Sequence, residues 1–178
     1  KIKDTSKDKI CGFVGDLINM EASFIFKEFF DRTININNYE SRSSQTYVDN
    51  SARENYLFNS TINGIEESDL ILLIGTNPRF EATMLNARIR KAYLSNNIEI
   101  ISLNDVGDLT YPYNSLDGKT QTIKDITENK NDISKKILEA NKPMIIIGES
   151  FFNLKSAEYL FHNLKKLLFT NNKFSDDW

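Results

Sequence analysis

Short unbroken apolar runs alternate along this chain with longer stretches in which apolar residues recur every three or four positions. Ile10–Val14, Leu70–Ile74, Ile98–Leu103 and Met144–Ile147 are such runs, rich in β-branched residues, and they predict strands. Runs without polar alternation suit strands buried on both faces, as in a parallel sheet. Ile34–Ile36 predicts one further short strand. Between the runs the period changes. Met20–Phe30 brings Ala22, Ile25, Phe26, Phe29 and Phe30 to one face of a helix. Arg79–Leu94 does so with Ala82, Leu85, Ile89 and Ala92, and Leu154–Phe169 with Ala157, Leu160, Phe161, Leu164 and Leu168. Ile123–Ile126 and Ile133–Ala140 predict two shorter helices, the second stopping before Pro143. Ala52–Phe58 and Ile65–Ser68 predict helical turns. Strands alternating with helices predict an α/β fold: a Rossmann-like, mostly parallel sheet with helices on both faces.

The remaining stretches have no period. Lys1–Lys9 is charged. Asn37–Asn63 is polar and long for a connection, which marks it as functional, partner-bound or misread as a connection. Asp108–Gly118 is rich in turn formers, yet its Tyr111, Tyr113 and Leu116 need cover. Asn171–Trp178 is polar again.

Composition narrows the function classes. The 178 residues suffice for one domain with a proper core. A formal net charge of −3, with no basic stripe, offers nucleic acid nothing to hold. No apolar run approaches the length of a membrane span. The single cysteine, Cys11, forms no internal disulfide and cannot alone hold a cluster or a structural zinc. In its apolar run it is expected to act as a small buried hydrophobe. The single histidine, His162, is expected at the edge of a packed helix face. Glu66, Glu67 and Asp69 are expected to face solvent. Nothing supplies an activated nucleophile or a matched acid–base pair.

One stretch carries candidate chemistry. Leu70–Arg90 reads as strand, turn and helix, with Gly75, Thr76, Asn77, Pro78 and Arg79 in the turn. Such a turn lies at the carboxyl edge of an α/β sheet, where ligands bind. Its N–H groups, Thr76 and Asn77 are suited to a phosphate, with Arg79 as countercharge. Asn77 and Pro78 suit a plain helix cap better still. Neither GxGxxG nor GxxxxGK[ST] occurs. Gly12 and Gly15 form GFVG, followed by Asp16 and Leu17 where a dinucleotide site needs glycine, so this is read as a turn.

The combination GTNPRFEA at Gly75–Ala82, NARIRK at Asn86–Lys91 and DLTY at Asp108–Tyr111 resembles the large iron–sulfur subunit of respiratory complex I. NYLFNSTING at Asn55–Gly64 and NKPMIIIG before Glu149 extend the likeness, which runs from about Ile10 to the end. The resemblance implies a molybdopterin-oxidoreductase-like domain spanning residues 1–178, single or part of one. It would be a fragment of a longer subunit, without the family's amino-terminal iron–sulfur domain. Working molybdopterin relatives carry a Cys, selenocysteine or Ser ligand in the loop matching Val48–Phe58. Here Ser51 is the only residue of those types. After Leu103, Asn104-Asp105 stands where those enzymes have a D-P-R pattern.

By that resemblance the domain is structural and non-catalytic, and supports NADH-to-quinone electron transfer in the hydrophilic arm. It would bind no cofactor itself, FMN and the iron–sulfur clusters lying elsewhere in the complex. Gly75, Thr76, Asn77, Pro78 and Arg79 would be a vestigial cofactor turn, with Arg79 buried and paired. Partners would be other hydrophilic-arm subunits and the iron–sulfur domain of the same subunit, with no nucleic acid and no direct membrane span. The place would be the mitochondrial inner membrane on its matrix side, or a bacterial inner membrane on its cytoplasmic side. The alternatives are a remnant molybdopterin-binding oxidoreductase domain and an α/β nucleotide-binding regulator.

Overall fold

A computed structural model describes residues 1–15, 17–41 and 46–173. Asp16 and the 174–178 end, read above as turn and polar tail, lie outside the described residues, as do 42–45 of the long polar stretch. The chain divides into two compact units, Lys1–Gln45 and Thr46–Trp178.

The first unit is a small parallel crossover. Strand β1 (Gly12–Phe13) leads to helix α1 (Met20–Glu28), capped by the Asn19 side chain. A π-helical turn at Phe29–Ile34 follows, and strand β2 (Tyr39–Glu40) pairs parallel with β1. The second strand therefore lies beyond Ile34–Ile36. The expected apolar face of α1 is also revised: Ile25 is 66% exposed, and of the face residues only Phe30 is buried. The wider π turn changes the helical register just where Phe30 turns inward. Phe30 there stacks with Phe26 at 4.6 Å and Tyr39 at 5.4 Å between ring centroids. Gly12 has no Cβ because one would collide with the Phe30 and Phe26 rings. Cys11 is exposed rather than buried.

The second unit holds the main sheet. Strands β3 (Leu70–Ile74), β4 (Glu99–Leu103), β5 (Asn114–Leu116) and β6 (Pro143–Ile147) are all parallel, in the order β5-β4-β3-β6. The chain runs outward from β3 to β5 and then returns to the other side of β3. Every residue of β3 is buried, as its unbroken apolar run requires. One face packs Leu72, Ile74, Ile101 and Leu103 against α5 (Thr120–Thr127), α6 (Asp132–Glu139), α7 (Glu149–Phe152) and α8 (Ala157–Thr170). The other packs Ile71, Leu73 and Ile100 against Ile65, Ile89, Ala92, Leu109 and Tyr111. Short helical turns at Thr61–Gly64 (α2) and Ile65–Glu67 lead into β3.

The single helix expected over Arg79–Leu94 is divided. Pro78–Glu81 (α3) and Thr83–Asn96 (α4) are separated at Ala82, whose φ is −149° and which is exposed. The last helix, expected over Leu154–Phe169, forms as α8 from Ala157 to Thr170, and α7 precedes it as a separate short helix. No proline or glycine marks the break, so periodicity alone runs through it. Strand β5 is unannounced by any apolar run, because it is a sheet edge with two exposed residues.

The β4-to-β5 crossover has no helix. Residues 104–113 cover that face as an irregular loop, with Leu109 fully buried and Tyr111 nearly so. Such a loop leaves its own carbonyls without ladder partners, and buried ones must find them elsewhere.

Candidate functional site

The return of the chain from β5 to β6 places a topological switch point between β3 and β6. Ligands of open α/β sheets bind outside the carboxyl ends of the strands at such points. Both strands end there in glycine turns, and the two turns lean on each other. Gly75 has φ +61°, and a Cβ on it would stand 2.6 Å from Ser150 Oγ and 2.8 Å from the Phe151 nitrogen. A Cβ on Gly148 would collide with the Gly75 carbonyl oxygen. The Gly148 N–H donates to the Ile74 carbonyl at 2.9 Å, and Ser150 Oγ donates to the Gly75 carbonyl at 2.5 Å. Beside this closure a cavity of about 280 Å³ opens, lined by Thr76, Asn77, Glu81, Asn104, Ser150 and Phe151 among others.

The turn's donors are already engaged by a carboxylate of the chain. Thr76 Oγ1 donates to Glu81 Oε2 at 2.7 Å, and the Asn77 N–H donates to Glu81 Oε1 at 2.9 Å. Asn77 Oδ1 accepts from the Arg79 N–H, capping α3. This resembles a capping box, in which an acidic residue reaches back to the first orphan N–H groups. The Glu81 carboxylate therefore lies where a cofactor phosphate would need free donors, and the residues present do not fit an anionic pterin dinucleotide. Sequence reasoning missed Glu81, which stands four residues after Asn77 rather than at the three-residue spacing of a capping box.

The turn and α4 instead serve the loop between β4 and β5. Asn77 Nδ2 donates to the Val106 carbonyl at 2.9 Å. Arg79 Nη1 donates to the Asp108 carbonyl at 2.7 Å and to its carboxylate at 2.6 Å. Asn86 Nδ2 donates to the Leu109 carbonyl at 3.0 Å, and Tyr111 Oη donates to Asn86 Oδ1 at 2.8 Å. Three side chains from the GTNPR and NARIRK segments thus satisfy three carbonyls of the loop carrying DLTY. Arg79 is paired as expected but not buried: its side chain is 40% exposed, because its partner Asp108 lies on the outer rim. The Thr110 N–H and then Arg79 hold the Asp108 carboxyl below its usual range. Burial pushes the Tyr111 phenol well above its ordinary range.

The other candidates are also engaged within the chain. Asp105 accepts from the Gly107 N–H and from Tyr113 Oη, both from its own loop. Ser51 Oγ donates to Asp49 Oδ1 at 2.6 Å and accepts from Asn55 Nδ2. Asp49 in turn pairs with Lys165 of α8 at 2.8 Å, so the 46–58 stretch is clasped to the last helix. The expected acidic run does not simply face solvent. Glu66 pairs with Arg88 and Lys91, Glu67 with Lys142, and Asp69 accepts the Asn141 and Lys142 N–H groups. His162 is exposed. Among the described residues no three His, Cys, Asp or Glu side chains converge as a metal site.

The clasp makes a testable pH dependence. Hydrogen bonds from Lys165, then from Ser51, hold the Asp49 carboxyl far below its ordinary 3.8. A carboxyl lowered on folding stabilises the fold above its unfolded value and loses that contribution as pH falls. Urea midpoints of the protein should therefore drop between about pH 4 and pH 2 more steeply than those of Lys165→Met. Parallel curves would show that the clasp carries no linkage.

Comparison with known proteins bears on the whole chain. The family model described as molybdopterin oxidoreductase matches residues 1–178. A subunit of the NADH-quinone oxidoreductase of Rickettsia bellii is 31% identical over 178 residues, which is all of this chain and 26% of that protein. The corresponding subunit of Rickettsia prowazekii is 32% identical over the same span. The NADH-ubiquinone oxidoreductase 75 kDa subunit of Reclinomonas americana is 36% identical over 155 residues, 80% of this chain and 22% of that protein. The chain spans about a quarter of the length of these curated relatives. With its parallel α/β sheet and a family match along its entire length, the chain belongs to the molybdopterin oxidoreductase family.

Proposed function

We propose that this domain is a structural, non-catalytic part of the large iron–sulfur subunit of respiratory complex I. It supports NADH-to-quinone electron transfer by holding position in the hydrophilic arm. FMN and the iron–sulfur clusters belong to other segments and subunits of that complex. The observation that carries this reading is the spent state of the cofactor turn. Glu81 takes the donors of Thr76 and Asn77, while Asn77 and Arg79 are committed to the Val106 and Asp108 carbonyls. The likeness to the rickettsial NADH-quinone oxidoreductase subunits and to the 75 kDa protein supports the same assignment. Among the described residues no helix is long and apolar enough to cross a membrane; the place we assign to the domain in the complex is peripheral. That place is the matrix side of the mitochondrial inner membrane or the cytoplasmic side of a bacterial one.

The test is native-gel migration from solubilised membranes with an NADH dehydrogenase stain. Co-migration with a large NADH-active band is expected. Arg79→Ala should lower the amount of that band, since a marginal loss of stability changes abundance several-fold. Unchanged assembly and NADH oxidation in the variant would remove Arg79 from the argument, and migration as a small free protein would overturn the assignment itself.

A remnant pterin-binding role is the second reading, favoured by the family and by the 280 Å³ cavity at the sheet's carboxyl edge, and it requires Glu81 to release the Thr76 and Asn77 donors. Molybdenum, tungsten or pterin fluorescence in the purified protein would establish it.

A further inference from the structure

Helix α4 is apolar on two opposite sides. Leu85, Ile89 and Ala92 face the sheet, as their helical spacing requires. Yet Met84 and Leu94 stand on the outer side, 71% and 68% exposed, with the exposed Ala87 between them. Phe80, on the preceding α3, is 79% exposed. At about 100° per residue Met84, Ala87, Lys91 and Leu94 form one stripe, about 15 Å long. Arg88 flanks it on one side and Arg90 on the other. A surface helix normally spends its outer face on charge, so large apolar side chains left there stand out.

The charge of this face says what covers it. Arg88, Arg90 and Lys91 crowd one turn of α4, and among the described residues Glu66 alone answers them, pairing with Arg88 and Lys91. Arg90 makes no ion pair among the described residues and is exposed. This is a cationic rim on a chain whose net charge is −3. We propose that the outer face of α4, built from Met84, Ala87 and Leu94 with Lys91 set among them and Arg88 and Arg90 at the sides, docks an acidic, apolar polypeptide segment of a neighbouring subunit. Apolar side chains of that segment cover the stripe, and its carboxylates meet the rim, which sets register and orientation more than raw affinity. The inference rests on the reading that the domain works inside a multisubunit complex.

The test uses the intact complex in native membranes. Benzoylphenylalanine is placed at Met84 or Leu94, with the exposed Tyr159 of α8 as the control position. A single cross-linked peptide, apolar with flanking Asp or Glu, is expected from α4. Its yield should fall about tenfold in Arg90→Glu/Lys91→Glu. Yield should return when the carboxylates of the mapped segment are changed to lysine. The inference is overturned by a yield no higher than at Tyr159. It is equally overturned by capture of an anionic lipid, of residues 1–45 of this same chain, or of a segment without acidic residues. The NADH stain reads the wider assignment separately: a subunit that assembles without an α4 cross-link sinks only the docking surface.

Discussion

Gly148→Ala lowers the melting temperature of this protein by roughly 10 °C, the loss of about 3 kcal/mol in a domain of this size. The backbone of Gly148 is extended, φ −94° and ψ 172°, so alanine suffers no conformational penalty there. The cost is entirely steric. The new methyl meets the Gly75 carbonyl oxygen, the Thr76 Cβ at 2.6 Å and the Gly75 carbonyl carbon at 2.9 Å. Two of these are backbone atoms, and the Gly75 carbonyl is held by Ser150 Oγ. The turn cannot yield without moving β3 and β6, whose ends are joined by the Gly148–Ile74 hydrogen bond. Gly15→Ala is the matched control, because nothing lies within 4 Å of its Cβ position. It should be neutral or slightly stabilising, through loss of unfolded-chain entropy. Thermal unfolding of the two variants decides the matter: equal melting temperatures would mean that the two glycine turns are not in contact as described.

Asn86→Ala should cost about 2–4 kcal/mol, because it leaves two buried groups unpaired rather than one bond unmade. Asn86 is 6% exposed, and its amide is the partner of both the Leu109 carbonyl and the Tyr111 hydroxyl. Neither group is replaced by water at no cost, since Leu109 is fully buried and Tyr111 is 7% exposed. Tyr111→Phe removes one hydroxyl and leaves one amide acceptor unfilled, for about 1 kcal/mol. The two effects should be strongly non-additive in a double-mutant cycle read by urea denaturation, as expected for members of one network. An additive result, or an Asn86→Ala loss below about half a kcal/mol, would show that the loop finds its partners elsewhere.

The cost at Asn86 has its cause in the topology. In most doubly wound sheets a helix covers each crossover and satisfies its own backbone. Here residues 104–113 cover the sheet without a helix, and Asn77, Arg79 and Asn86 supply the missing donors. That is a physical reason for GTNPR, NAR and DLTY to stand together in one chain: each needs the others to leave no carbonyl orphaned.

Much of the architecture was legible along the chain. The apolar runs of β3, β4 and β6 and the periodicity of α4, α5, α6 and α8 are local properties, set by whether one face or both must leave water. The position of the GTNPR turn at a sheet edge followed from its glycine and proline. What the chain did not announce depends on partners distant in sequence. The inward turn of Phe30, the break at Ala82, the edge strand β5 and the exposure of Cys11 are each decided by what packs alongside. The state of the candidate site is of the same kind. Sequence alone favoured a cap and left a phosphate site open. The tertiary structure gave its donors to Glu81 and pointed Arg79 at Asp108, because hydrogen-bond donors near a buried loop go to whichever acceptors folding brings within reach.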